Sequence, residues 1–273
     1  MGPTGKGWGE RHSAPRAGPR RPPSSGNGIS YHGGPVMSAA PANVYFIWYG
    51  NWLSNSAQSI LPDLINGMNA TPYYNMNTTY YDGANAHIPN AVGMAGSTSD
   101  SYSQGAAIGD ASVRSIVSSA ISSGRLPNDG NGVYFVLTSS DVNETSGFCT
   151  QYCGWHSHAS VLGKDIKYAF IGNPDRCPGA CSAQTSSPNG NPGADAMASI
   201  ISHELSETVT DPDLNAWYDS QGAEDGDKCA WTFGAVYPAG GGGYANVRLN
   251  SRDFLLQELW VNASGGYCGL SVR

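Results

Sequence analysis

The chain has 273 residues, a formal net charge of −7 at pH 7 and only 13% charged residues, against roughly 25% in ordinary soluble domains. Residues 1–42 hold five basic residues (Lys6, Arg11, Arg16, Arg20, Arg21) against the single acid Glu10, so this stretch carries +4 and the remainder −11. A domain of that sign repels phosphate backbones, which argues against nucleic acid as a partner and leaves cations or neutral sugars. No run approaches the ~18 apolar residues that cross a bilayer, so no membrane span is expected.

From Met1 to about Ala42 the sequence is Gly, Pro, Ser and Arg with little apolar periodicity. Residues 1–30 are expected to be a disordered basic segment ahead of one globular domain over 31–273. Val44 to Tyr49 is an apolar and aromatic run bounded by Pro41 and Gly50, which predicts a buried strand. Ser54 to Gly67 follows as a helix, with Ser54 as N-cap, Ile60, Leu61, Leu64 and Ile65 on its apolar face and Gly67 as its stop. Tyr73 to Tyr81 has the aromatic and threonine content of a strand. Asp110 to Ser123 sets Val113, Ile116, Val117, Ala120 and Ile121 at helical spacing, closed by Gly124. Gly132 to Thr138 and Lys167 to Gly172 read as two further buried strands. A loop rich in Cys, Pro and Gly leads to a helix from about Ala194 to Thr210, then to a Gly-rich tail with a late strand near Phe254 to Val261. This order predicts an α/β (α+β) fold: a mixed sheet with packed helices and a disulfide-bonded C-terminal lobe.

Six cysteines fall at 149, 153, 177, 181, 229 and 268. An even number at this density suits a few bridges, with all pairings open. The spacings Cys149-x3-Cys153 and Cys177-x3-Cys181 would also suit a four-thiolate zinc knot, the less favoured reading. Sequons at Asn69, Asn77, Asn143 and Asn262 fit an oxidising secretory route. The N-terminus shows no apolar h-region of roughly 7–15 residues, so the extracellular expectation rests on cysteines, sequons and composition.

The helix over 194–210 is the expected site of chemistry. On a wheel of about 100° per residue, Met197, Ile201, Leu205 and Val209 form a broad apolar arc, and Asp195, Ser199, Ser202, Ser206 and Thr210 predict a solvent face opposite. Glu204 and Glu207 fall inside the apolar arc and His203 at its edge. An inward carboxylate must be paired, protonated or bound to a cation; Arg248 and Arg252 are the candidate ion-pair partners. The string His203-Glu204-Leu205-Ser206-Glu207 resembles the zincin-like helix of zinc hydrolases, where ligands at i and i+4 share a face and the Glu after the first activates water. His203 and Glu207 are therefore candidate ligands and Glu204 the candidate catalytic base. Glu in place of a second His admits a harder ion, so zinc and calcium are both expected cofactors. The third ligand is sought among His156, His158, Asp211, Glu224 and Asp227, with Pro212 marking Asp211 as the helix end. Two acids three residues apart on one helix do not straddle a sugar ring, and no nucleophile-elbow motif supports a Ser/His/Asp triad. Trp48, Trp52, Trp155, Trp217 and Trp231 suit either sugar stacking or the core.

Several motifs occur together: Tyr31-His32-Gly33-Gly34-Pro35-Val36, Ile47-Trp48-Tyr49-Gly50, Val136 to Val142, Phe148-Cys149 with Cys153-Gly154-Trp155-His156, and Cys177-Pro178-Gly179-Ala180-Cys181. With Pro188-Asn189-Gly190, Ser202 to Glu207 and Asn215-Ala216-Trp217-Tyr218, this ordered set resembles the phosphate-induced protein/EXORDIUM family from about Tyr31 onward. The resemblance implies a secreted protein of the plant cell wall or apoplast, linked to growth and to responses to phosphate, carbon status and brassinosteroid. It implies location more than mechanism, and the Arg/Pro-rich start departs from the family's usual signal peptide. Two functions are expected: a metal-dependent, peptidase-like hydrolase or its inactive relative, or a non-catalytic extracellular protein. Its partner would be an extracellular polypeptide, a receptor or a cell-wall glycan.

Overall fold

In the computed structural model, which describes residues 28–273, five strands and three helices build the frame. In chain order they are β1 (Ala42–Tyr49), α1 (Ala57–Met68), β2 (Val92–Asp100), α2 (Asp110–Ser122), β3 (Gly132–Thr138), β4 (Gly154–Val161), β5 (Lys164–Ile171) and α3 (Pro192–Thr210). The strands form one sheet in the order β2-β1-β3-β5-β4, parallel throughout except for β4, which runs antiparallel to β5. Parallel strands covered on both faces need near-continuous apolar runs. The Val44–Tyr49 and Val133–Leu137 runs supply them and sit side by side at the centre. Helices α1 and α3 pack on each other, while α2 packs on β3, β4 and β5; right-handed crossovers put α2 on the opposite face. The expected disordered segment, residues 1–30, lies outside the described residues except for 28–30. There Ser30–Tyr31 pairs antiparallel with Trp217–Tyr218.

The departures from expectation have local causes. Tyr73 to Tyr81 is not a strand but a 3₁₀ helix over Tyr74–Thr79. Thr78 and Thr79 each donate a hydroxyl back to the carbonyl three residues earlier, a local bond that competes with a sheet ladder. Ser54 does not cap α1: its φ is +56°, outside the extended geometry of an N-cap, and Asn55 Oδ1 accepts the Ala57 N–H instead. The late strand near Phe254 to Val261 is two short strands, Arg252–Phe254 and Leu259–Val261. Strand β2 escapes a periodicity search because it is Val-Gly-Met-Ala-Gly-Ser-Thr-Ser-Asp, an edge strand of small residues.

The expected solvent face of α3 is the largest correction. Ser202, Ser206 and Thr210 are buried, because the C-terminal lobe wraps that side of the helix. Ser206 donates to Asn77 Oδ1 (2.6 Å), and Ser199 Oγ accepts the Gln257 N–H (3.0 Å). The same packing encloses the Asn77 sequon, which leaves no room for a glycan in this fold, whereas Asn69 is exposed.

All six cysteines close into disulfides, Cys149–Cys177, Cys153–Cys181 and Cys229–Cys268, so the four-thiolate knot is excluded. The first two are parallel staples that join the segment entering β4 to the loop ahead of α3. The third closes the lobe over a sequence separation of 39, a constraint on the unfolded chain of roughly 4 kcal/mol. The double variant Cys229→Ser/Cys268→Ser is expected to lose about 2–5 kcal/mol in urea denaturation; an unchanged midpoint would show that the lobe is held by packing alone.

Candidate metal centre

Helix α3 begins with Pro192 after the N-cap Asn191, whose Oδ1 accepts the Ala194 N–H (3.0 Å). It ends at Asp211, as Pro212 predicts. Between these caps the helix projects His203, Glu204 and Glu207 into buried space. Strand β4 reaches them through a two-residue turn at Leu162-Gly163, both with positive φ, the signature of a type I′ hairpin. The hairpin places β4 beside α3 so closely that a Cβ on Gly154 would stand 2.7 Å from Ile200 Cγ2 and 3.1 Å from Glu204 Oε1. His156, two residues along, therefore joins the same buried space.

The lobe supplies the rest. His203 Nε2 lies 3.0 Å from Glu207 Oε1 and 3.8 Å from Asp227 Oδ1. His156 Nε2 lies 3.1 Å from Glu224 Oε2 and 3.6 Å from Glu207 Oε2. Two ligand-spaced groups result, His156–Glu204–Glu207 and His203–Glu207–Asp227, each with its donor atoms within 4.8 Å of one another. Six of the eight site residues singled out in the sequence thus meet around Glu207. Asp211 does not join them: its Oδ1 accepts the N–H groups of Asn215 (2.5 Å) and Ala216 (2.6 Å), a capping role. Nor does His158, which pairs with Asp165 in a group that Lys167 Nζ already fills, 2.9 Å from Asp213. Arg248 and Arg252, the expected partners of the inward acids, pair with Asp253 and Asp63 instead.

The sequence matches the phosphate-induced protein 1 conserved region over residues 29–269, a span that contains every one of these side chains. The chain belongs to the phosphate-induced protein 1 family. Protein EXORDIUM-like 5 of Arabidopsis thaliana is 32% identical over 276 residues, covering 85% of this chain and 75% of that protein. Protein EXORDIUM-like 3 of the same plant is 31% identical over 283 residues, covering 88% and 82%. Protein PHOSPHATE-INDUCED 1 of Nicotiana tabacum is 26% identical over 275 residues, covering 85% of each. No solved structure matches the chain. Among the described residues of this family member no helix is long and apolar enough to cross a membrane.

Two residues of the centre were not singled out in the sequence. Gln257 donates from Nε2 to His203 Nδ1 (2.9 Å) and to the Gly226 carbonyl (2.7 Å), while its Oε1 accepts the Trp231 N–H (3.2 Å). With Nδ1 accepting, the ring's proton falls on Nε2, the atom 3.0 Å from Glu207 Oε1. An ion at Nε2 would need that proton released and an acceptor turned toward Nδ1–H. Asp225 is buried beside Ser206, and only the acidic run Glu224-Asp225-Gly226-Asp227 hints at it. A cleft enclosing about 510 Å³, open solvent included, reaches His203 between Ile200, Trp231, Phe233 and Leu255.

Burial raises Glu207 from 4.5 to about 7, with His203 pulling down and Asp227 pushing up. Burial likewise raises Asp225 from 3.8 to about 6, against the Ser206 hydrogen bond. The folded chain then holds protons that the unfolded chain has released. The stability these groups provide is complete below their ordinary values and is lost as pH rises through about 6 to 7. Chelator-treated protein is expected to show a higher urea midpoint near pH 5 than near pH 8, with a smaller difference in Glu207→Gln. A difference of the same size in that variant would remove Glu207 as the cause.

Gly226 is a close fit against the site. A Cβ there would stand 2.8 Å from three atoms of the His203 ring, whereas one on Gly179 would meet nothing within 4 Å. Gly226→Ala is expected to cost about 1–3 kcal/mol by overpacking and Gly179→Ala to be near neutral. Equal denaturation midpoints for the two variants would contradict the packing.

Proposed function

We propose that this member of the phosphate-induced protein 1 family is a secreted, metal-dependent hydrolase of extracellular polypeptides, with a zincin-like arrangement on α3. The observation that carries the reading is the His203–Glu207–Asp227 group at ligand spacing, with Glu204 in the adjoining group and a cleft that reaches His203 from solvent. Two imidazoles in the neighbourhood favour zinc over calcium, which takes oxygen ligands. Bound there, the ion would polarise a carbonyl and lower the pKa of water. The chain's own part is to hold His203 by the Gln257 amide and the Gly226 backbone, and to offer Glu204 as the proton acceptor. Secretion is supported by the three disulfides, which persist in oxidising compartments.

Burial favours a second reading. His156, His203, Glu204 and Glu207 are each 3% exposed or less, as in closed structural sites. An ion there would fasten the lobe to the sheet of a non-catalytic wall protein that binds a glycan or receptor. The two readings separate on Glu204→Gln, assayed with a broad peptide library on zinc-loaded protein. The hydrolase reading expects turnover in the unaltered chain and a loss of about 10²–10⁴-fold in the variant. Absence of turnover in the loaded, folded chain would leave the structural reading in place.

A further inference from the structure

We propose that the centre holds two divalent cations bridged by the Glu207 carboxylate. This rests on the metal-binding part of the function proposed above and extends it from one ion to a pair. The two ligand-spaced groups share Glu207, and neither contains both histidines. The carboxylate divides itself between them, with Oε1 3.0 Å from His203 Nε2 and Oε2 3.6 Å from His156 Nε2. One ion at the His203–Glu207–Asp227 focus therefore takes one imidazole and leaves the other at a second focus, on the far oxygen of the same carboxylate.

The spacings suit ligation at both foci. Bonds of about 2.0–2.1 Å in a tetrahedral shell put neighbouring ligand atoms roughly 3.3–3.4 Å apart. The observed pairs, 3.0 and 3.8 Å around His203 and 3.1 and 3.6 Å around His156, bracket that value. A carboxylate that gives one oxygen to each ion is a natural link for paired ions about 3.5–4 Å apart.

Charge points the same way. Glu204, Glu207, Glu224, Asp225 and Asp227 bring five carboxylates together with two imidazoles. One dication neutralises two of the five and a pair neutralises four, which matters where desolvated charge costs several kcal/mol per ion. The fold's third His–carboxylate group, His158–Asp165–Asp213, shows the other solution, a lysine ammonium set among the acids. In the two-ion arrangement Glu204 is a ligand of the second ion, the one point where it departs from the single-ion reading.

The test uses the full chain, stripped with a chelator, reloaded with Zn²⁺ alone and analysed by elemental mass spectrometry and calorimetric titration. Two ions per chain are expected, falling to one in His156→Ala and to one in His203→Ala, with circular dichroism confirming that each variant is folded. Reloading with Mn²⁺ provides a readout independent of substitution, because a carboxylate-bridged pair gives a spin-coupled resonance spectrum and an isolated ion does not. One ion per chain with an uncoupled Mn²⁺ spectrum overturns the pair and leaves the metal-dependent reading standing. No ion at all overturns both.

Discussion

Five acidic side chains and two imidazoles share a space nearly closed to water, and the arrangement of this molecule follows from what such a space demands. A carboxylate removed from solvent must be protonated, paired or bound to a cation. Without an ion the fold takes the first route in part: burial lifts Glu207 into the neutral range and Asp225 close to it. It also takes the second, with each imidazole set against a carboxylate at about 3 Å. Both are compromises that a dication would relieve, at the cost of the proton on His203 Nε2.

No single element makes the space. Strand β4 contributes His156, α3 contributes His203, Glu204 and Glu207, and the lobe contributes Glu224, Asp227 and Gln257. The disulfides act on the same three pieces: two pin the start of β4 to the approach of α3, and the third fixes Cys229, two residues beyond Asp227. Glycine at 154 and 226 lets strand and lobe come within contact of the helix. Covalent closure and close approach thus serve one end, holding three remote segments at ligand distance.

What was legible in the sequence divides along physical lines. The central strands were visible because strands covered on both faces carry unbroken apolar runs. The acids of α3 were visible because charge at i and i+3 within an apolar arc contradicts ordinary burial. His156 drew notice through the neighbouring Cys153, although the strand that carries it did not, since its Ser and His residues break any period. The serine side of α3 misled because a helical wheel shows polarity, not what covers it; the Asn77 and Asp225 contacts that bury Ser206 come from 129 and 19 residues away. Gln257 had no local pattern, since its role exists only once the lobe is docked.

The composition of β2 bears on how the molecule fails. The outer rows of the sheet, β2 and β4, are rich in glycine, serine, threonine and histidine, while β1 and β3 hold the hydrophobic stretches with high strand propensity. Edges of this kind offer little for another copy to adhere to. Detachment of β2 alone would bare the Tyr45-Phe46-Ile47-Trp48 stretch along its open hydrogen-bonding side, a window of the type that nucleates cross-β aggregates. By occupying that side of β1 along its length, β2 keeps the stretch from pairing with another copy of the chain.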